Sequence, residues 1–202
     1  MAAAGYFVCM PDLFHDDPAP LNAFSDTSDF DIGKWFPHHS PETVQPIVDA
    51  VSQALRKDFE VKSLGAVGYC FGAKYVVRGL SPEGGLDAGF IAHPSGVESA
   101  ELRRIKGPLS IAAAGKRFDA SRTRFMLTTC SESDYVFTDE QRHESEAALK
   151  EIGVHHQVNV YGGTSHGFAV RADLSRPEQK FAKEQAFHQA VAWFDEHLGV
   201  QS

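Results

Sequence analysis

The chain has no long apolar run, no surplus of basic residues and only three cysteines among its 202 residues. No apolar stretch approaches the roughly 20 residues that a membrane-spanning helix needs, so the sequence predicts no membrane partner. A net charge of −8 argues against a nucleic-acid partner, because phosphate binding needs an excess of lysine and arginine. These absences leave the classes of globular protein that act on small molecules.

The three cysteines (Cys9, Cys70 and Cys130) cannot all pair with one another, and their spacing fits no zinc module. The first residues carry no basic side chain before their apolar run, which stops at Pro11, so we expect no secretory signal there. We therefore predict reduced thiols in a cytoplasmic protein.

Apolar stretches of strand length alternate with helical patterns along the chain. Strands are predicted at residues 5–10, 61–69, 87–92, 109–114 and 157–161. Helices are predicted at about residues 40–59, 71–80, 99–105, 139–152 and 177–198. This alternation predicts one α/β domain over residues 1–202, with a mostly parallel sheet covered by helices on both faces. Such sheets carry their sites at the carboxyl ends of the strands.

A cysteine lies where a predicted strand meets a predicted helix, in the segment 68–72 (GYCFG). Gly-x-Cys-x-Gly at such a junction matches the nucleophile elbow of hydrolases, with cysteine in place of serine. The helix N-terminus favours a thiolate at Cys70, and the backbone N–H of Phe71 can donate to an oxyanion. The alternative is a buried structural cysteine between two ordinary glycines. The strand–turn–helix context favours the nucleophile.

A thiolate nucleophile needs a base, and His166 follows the last predicted strand and precedes the last predicted helix. The α/β-hydrolase order of nucleophile, acid and histidine places the histidine there, so its position distinguishes His166 from the other histidines. A carboxylate after strand 109–114 should orient the imidazole. Asp134 and Asp119 both follow that strand, and we favour Asp134 because its segment leads into the next helix.

Five segments resemble dienelactone hydrolases, in the order of that family: GYCFGAKYVV, IAHPSGV, PLSIAAA, SDYVF and SHGFAVR. The resemblance covers nearly the whole chain and is greatest to eukaryotic members. It implies an α/β-hydrolase fold and a carboxymethylenebutenolidase-type enzyme, without cofactor or metal, that opens ester or lactone bonds through Cys70, His166 and Asp134. It also implies an arginine shortly after the histidine that holds a substrate carboxylate. Arg171 is the nearest match, and a surface arginine is the alternative.

The sequence departs from the family pattern at two places. The family has further strands and a helix before the segment that begins here at Ala2, and a loop among them supplies the second oxyanion donor. We therefore expect the chain to be incomplete at its N-terminus. Residues 115–131 interrupt the join between the IAAA and SDYVF segments, so we predict an insertion there and hypothesise that it is an unspliced in-frame intron.

Two other functions compete with ester or lactone hydrolysis. One is a catalytically impaired relic of the family that binds small molecules without turnover, and the missing second oxyanion donor favours it. The other is metal binding in the long loop before the first predicted helix, by His15, Asp16, Asp17, His38 and His39. Their spacing matches no recognised metal site, and acidic loops that carry histidine are usually solvated.

Overall fold

The structure is a computed structural model that describes residues 1–20, 23, 28–115 and 134–199. Two compact units divide the chain, Met1–Lys62 and Ser63–Ser202. The predicted insertion at residues 115–131 lies, except for Gly115, outside the described residues, and so do Asp119 and Cys130. The predictions of an insertion and of one domain over the whole chain stay predictions.

A parallel sheet forms the centre of the second unit. Its strands are β1 (Gly65–Tyr69), β2 (Ala88–Ala92), β3 (Leu109–Gly115) and β4 (His156–Gly162). They lie side by side in chain order, and every neighbouring pair is parallel. Parallel neighbours cannot be joined by a tight turn, so each connection crosses the sheet and brings all four carboxyl ends to one edge. The predicted α/β class is confirmed.

Helices separate the strands and extend beyond them. The described α-helices are α1 (Ile32–Trp35), α2 (Pro41–Lys57), α3 (Gly72–Gly79), α4 (Ser99–Leu102), α5 (Asp139–Ile152), α6 (Phe168–Arg171) and α7 (Pro177–His197). The start of α5 shows why these limits follow local chemistry. The Thr138 hydroxyl accepts from the Gln141 N–H, and the Gln141 side chain accepts from the Thr138 N–H, so both exposed donors are satisfied.

The two faces of the sheet are covered by different helices. Leu109 and Ile111 point into a buried cluster with side chains of α3, α4 and α5. Ser110 points to the opposite face, because side chains alternate along a strand. There the Gln189 amide of α7 donates to the Ser110 hydroxyl at 2.8 Å and to the Ile111 carbonyl at 3.1 Å. Burial on both faces explains why the two central strands, β2 and β3, are almost entirely apolar.

A cluster of rings organises the loop that precedes α2 in the first unit. The His39 ring is 4% exposed, lies 4.2 Å from the Trp35 ring between centroids, and places Nε2 3.1 Å from Asp17 Oδ2. The Trp35 indole N–H donates to the Asp17 carbonyl, and the Phe14 ring packs at 5.0 Å from the Trp35 ring. This predicted long loop is therefore partly ordered by aromatic packing.

The predicted strand at residues 5–10 is wrong. A 3-10 turn at Ala2–Ala4 ends at Gly5 in the left-handed region, and residues 6–10 lie outside any strand. Phe7 and Met10 are 71% and 91% exposed. Apolar residues make a strand only when a neighbour accepts and donates its backbone hydrogen bonds, and the described part of Met1–Lys62 contains no strand to pair with.

No helix within the described residues is long and apolar enough to cross a membrane.

Candidate active site

The turn that follows β1 places Cys70 at the carboxyl edge of the sheet. Cys70 has φ of +47°, a left-handed conformation that is strained for a residue with a Cβ. A Cβ on Gly68 would lie 2.6 Å from the Gly72 carbonyl oxygen, so glycine is required where the strand passes the helix. A Cβ on Gly72 would meet nothing within 4 Å. Of the two glycines in Gly-x-Cys-x-Gly, the close approach of strand and helix requires only Gly68.

Backbone hydrogen bonds on both sides maintain this strained turn. The Cys70 N–H donates to the Ala92 carbonyl at 3.1 Å, which continues the β1–β2 ladder by one residue. The Cys70 carbonyl accepts from the N–H groups of Ser95 and Ala73, each at 3.1 Å. The surrounding structure therefore determines the conformation of Cys70 and fixes the direction of its thiol.

His166 connects the thiol to a buried carboxylate. Its Nε2 lies 3.0 Å from Cys70 Sγ, and its Nδ1 lies 2.9 Å from Asp134 Oδ1 and 3.1 Å from Oδ2. An ionised carboxylate only accepts, so Nδ1 carries a hydrogen and Nε2 is left to exchange a proton with sulfur. The structure thus brings together the three residues that the sequence proposed as a triad.

Asp134 is itself held in place. Its Oδ1 accepts from the N–H groups of Val136 and Phe137, at 3.0 and 2.8 Å, and its side chain is 1% exposed. A buried carboxylate that accepts several hydrogen bonds is held rigidly against the imidazole. Of the two acids proposed from sequence, Asp134 contacts His166, and Asp119 lies outside the described residues.

Opposing effects set the charge of His166. Burial disfavours the imidazolium, but the hydrogen bonds to Asp134 and Cys70, and the electrostatic effect of both side chains, raise the pKa of His166 to about 9. The arrangement therefore favours a charged imidazole at neutral pH. A protonated base next to sulfur is the state that accompanies a thiolate.

The loop that carries His166 is anchored to the sheet and to α7. The Thr164 hydroxyl donates to the Tyr161 carbonyl at 2.7 Å, and the Tyr161 hydroxyl donates to the Gln189 side chain at 2.8 Å. Gly167, with φ of +88°, then reverses the chain into α6. These contacts place the imidazole above the carboxyl ends of the strands.

The structure also locates the two remaining predicted residues. A Cβ on Gly167 would lie 2.8 Å from Arg171 Nη2, so the Arg171 guanidinium lies against the backbone next to His166. Phe71 caps α3 directly after Cys70, and its ring packs 5.3 Å from that of Tyr75. The carboxylate-binding role of Arg171 and the oxyanion role of the Phe71 N–H stay predictions.

A second histidine contacts His166, and the sequence analysis gave it no role. His93 follows β2 directly, has 0% exposure, and its ring centroid lies 5.1 Å from that of His166. Burial, and then the positive charge of His166, lower the pKa of His93 to about 4. The available signal was its position at the carboxyl end of the strand beside the nucleophile strand.

No group of three or more histidine, cysteine, aspartate or glutamate side chains converges as metal ligands among the described residues. In the loop considered for metal binding, His39 pairs with Asp17 instead.

Sequence comparison shows which protein family the chain resembles. Residues 1–198 match the sequence model of the Dienelactone hydrolase family. The chain is 46% identical to "Hydrolase tropI" of Talaromyces stipitatus, over 98% of this chain and 72% of that protein. It is 32% identical to "Dienlactone hydrolase 1" of Gibberella moniliformis, over 96% of this chain and 69% of that protein.

A solved structure agrees on the fold. A putative dienelactone hydrolase from Klebsiella pneumoniae superposes with a TM-score of 0.61 at 14% identity, over 82% of this chain and 65% of that one. Identity that low shows the fold alone, whereas the family match and the fungal relatives show descent. The chain belongs to the dienelactone hydrolase family and is a hydrolase of the α/β-hydrolase fold.

Proposed function

We propose that this chain hydrolyses ester or lactone bonds of small molecules with Cys70 as the nucleophile. The observation that supports this most directly is the continuous contact from Cys70 Sγ through His166 to Asp134, at 3.0 and 2.9 Å. A thiol in a strained turn, a base within hydrogen-bond reach and a carboxylate that orients the base are the parts that nucleophilic acyl transfer requires.

In the first half of the proposed reaction, the Cys70 thiol transfers its proton to His166 Nε2, which gives the charged imidazole favoured at neutral pH, and the sulfur attacks the carbonyl carbon. The carbonyl oxygen becomes an oxyanion, to which the Phe71 N–H donates. The carbon–oxygen single bond of the ester then breaks, His166 returns its proton to the leaving oxygen, and a thioester on Cys70 remains. In a lactone the leaving hydroxyl stays attached to the acyl group.

In the second half, His166 takes a proton from water as the water oxygen attacks the thioester carbon. The carbon–sulfur bond breaks, a carboxylic acid is released, and the proton held by His166 returns to sulfur. Asp134 keeps Nδ1 protonated through both halves, so Nε2 alone exchanges protons. No oxidant, reductant or second substrate besides water is needed.

The proposed substrate class rests on one side chain and one relative. Arg171 lies beside the His166 loop, where it would hold a carboxylate of the substrate. One fungal relative is named a dienlactone hydrolase, so we propose a small carboxylated lactone or ester. A thiol nucleophile must remain reduced, and both described cysteines are free, so we further propose that the chain acts in the cytoplasm.

The experiment is steady-state hydrolysis of an activated aryl ester by the chain and by Cys70→Ala. Cys9→Ala is the matched control, because Cys9 is a second free and exposed thiol. We expect turnover by the unmodified chain and by Cys9→Ala, and none above background by Cys70→Ala. Folded chain that gives no more turnover than Cys70→Ala would reject the proposal and favour the relic without turnover.

A further inference from the structure

His93 is a polar side chain buried without hydrogen bonds. Its side chain has 0% exposure, and neither ring nitrogen has a hydrogen-bond partner among the described residues. An unsatisfied buried polar group lowers stability because it has lost its hydrogen bonds to water, and an apolar ring of similar shape would avoid that loss.

The backbone at His93 is strained as well. Its φ of +38° lies in the left-handed region, where residues with a Cβ are uncommon. The His93 N–H donates to the Ala112 carbonyl at 2.8 Å, which fixes the residue against β3. Strain maintained by the surrounding structure concentrates at functional sites, where it places a side chain that ordinary geometry would direct elsewhere.

Rings from three elements surround His93. The Tyr69 ring of β1 is stacked at 6.0 Å between centroids, the Phe168 ring of α6 meets it edge-on at 5.7 Å, and the His166 ring meets it edge-on at 5.1 Å. The charged groups that act on it are His166, Asp134 and Arg171. The His93 ring is therefore immobile, and one side of it contacts the imidazole that bonds to Cys70.

The hydrogen bonds of His166 leave one motion unrestrained. Bonds at Nδ1 and Nε2 fix the line through these two nitrogens, but the ring can still tilt about that line. The His93 ring meets the His166 ring edge-on at 5.1 Å between centroids, so a tilt toward His93 would bring the two rings into collision. Small displacements of a reacting group can cost about 10²-fold in rate, so this restraint has a kinetic consequence.

We propose that His93 is a positioning residue that keeps the His166 imidazole aligned with Cys70 Sγ, by acting as a rigid and uncharged wall. The proposal deepens the proposed function and rests on it. The wall must be uncharged because a second cation at this distance would repel the His166 imidazolium. Shape and neutrality carry the role, and a hydrogen bond from His93 does not.

The test compares His93→Phe, which keeps an uncharged ring, with His93→Ala, which removes it. Ile91→Ala is the matched control, because Ile91 is buried on β2, two residues before His93, and points into the core cluster. Each variant is assayed for ester turnover and for the rate of Cys70 alkylation by iodoacetamide as a function of pH. All assays use a temperature at which thermal unfolding shows every variant to be folded.

We expect His93→Ala to lower kcat by about 10-fold or more with KM changed less than about 2-fold, since orientation and not binding is lost. We also expect its alkylation profile to shift toward higher pH, because a misaligned His166 stabilises the thiolate less. His93→Phe should restore both properties, and Ile91→Ala should change neither.

Two results would overturn the proposal. One is a loss in His93→Phe as large as in His93→Ala, which would assign the role to a ring nitrogen. The other is equal behaviour of His93→Ala and Ile91→Ala, which would leave only a structural role. Absence of ester turnover in the unmodified chain would reject the proposed function alone, because the alkylation profile still reports the alignment of His166 with Cys70.

Discussion

The turns after β1 and β2 begin in the same way and end in different chemistry. Each places a residue other than glycine in the left-handed region directly after its strand: Cys70 with φ of +47° and His93 with φ of +38°. The two strands pair in parallel, so the two turns are neighbours at the carboxyl edge of the sheet.

The side chains of these turns meet opposite environments. Cys70 is half-buried, and its sulfur contacts His166 Nε2, whereas His93 is fully buried and has no described polar partner. Both contact the same imidazole, one through a hydrogen bond and the other through a ring face or edge. The comparison teaches that the same backbone conformation at two neighbouring strand ends can bring a polar side chain and a fully buried ring to the same imidazole.

The largest effect is expected on the rate of ester hydrolysis when Asp134 loses its carboxylate. Asp134→Asn should lower kcat for ester hydrolysis by about 10²–10⁴-fold, because an amide can donate to Nδ1 and stabilise the wrong tautomer. The midpoint of thermal unfolding should also fall, because His166 loses its buried charged partner, so kcat is compared at a temperature at which both proteins are folded. A loss smaller than about tenfold would contradict the role of Asp134 and direct attention to Asp119.

A second substitution tests the backbone on which the Cys70 turn depends. Gly68→Ala should lower the free energy of unfolding by about 3 kcal/mol, because the added Cβ would lie 2.6 Å from a backbone carbonyl oxygen. Gly72→Ala is the control, since its Cβ meets nothing within 4 Å. Urea unfolding measures the free energy of unfolding of both variants. If Gly68→Ala is no less stable than Gly72→Ala, the neighbouring backbone moves to make room for the added Cβ.

The dependence of stability on pH below 6.5 tests the buried, neutral state of His93. His93 has an ordinary pKa of 6.5 and a folded value of about 4, so the unfolded chain binds more protons between these pH values. The contribution of neutral His93 to the free energy of unfolding is therefore present above pH 6.5 and is lost as the pH falls toward 4. His93→Phe should reduce this loss of unfolding free energy in denaturant titrations, and an unchanged slope would contradict the buried neutral imidazole.

An effect of similar size to that of His93 is expected on the alkaline side, where His166 titrates. The pKa of His166 rises from 6.5 to about 9 on folding. Its contribution to the free energy of unfolding is therefore fully present below pH 6.5 and is lost as the pH rises through 9. The unfolding free energy of the chain relative to His166→Gln should therefore decrease over that interval. A constant difference in the same titrations would show that His166 is not charged when folded.

Several elements were predictable because their signals are local. The helix at Asp139–Ile152 was predicted with the observed bounds, and its end signals are local: Thr138 caps it just before its acidic first turn, and Gly153 follows it directly. The predicted strand at 109–114 corresponds to β3 at Leu109–Gly115. The position of Cys70 between strand and helix was equally readable. The catalytic roles of Cys70, His166 and Asp134 stay predictions.

Other features depended on contacts that no local pattern shows. The segment 5–10 has the apolar character of a strand but no described strand within its unit to pair with, so the prediction failed there. The neighbourhood of His93 was not predicted either, because its contact with His166 joins residues that are distant in the chain.

By itself, the sequence determined the alternation of strands and helices, the α/β class and the order of Cys70, Asp134 and His166 along the chain. Those properties follow from periodicity and from the residue types at element ends. Only the tertiary structure decided which side chains meet, because Cys70 and His166 are 96 residues apart and touch only through the order of strands in the sheet. The packing of the strands and helices also brings Cys70 and His93 to the same imidazole, and neither local segment alone determines this.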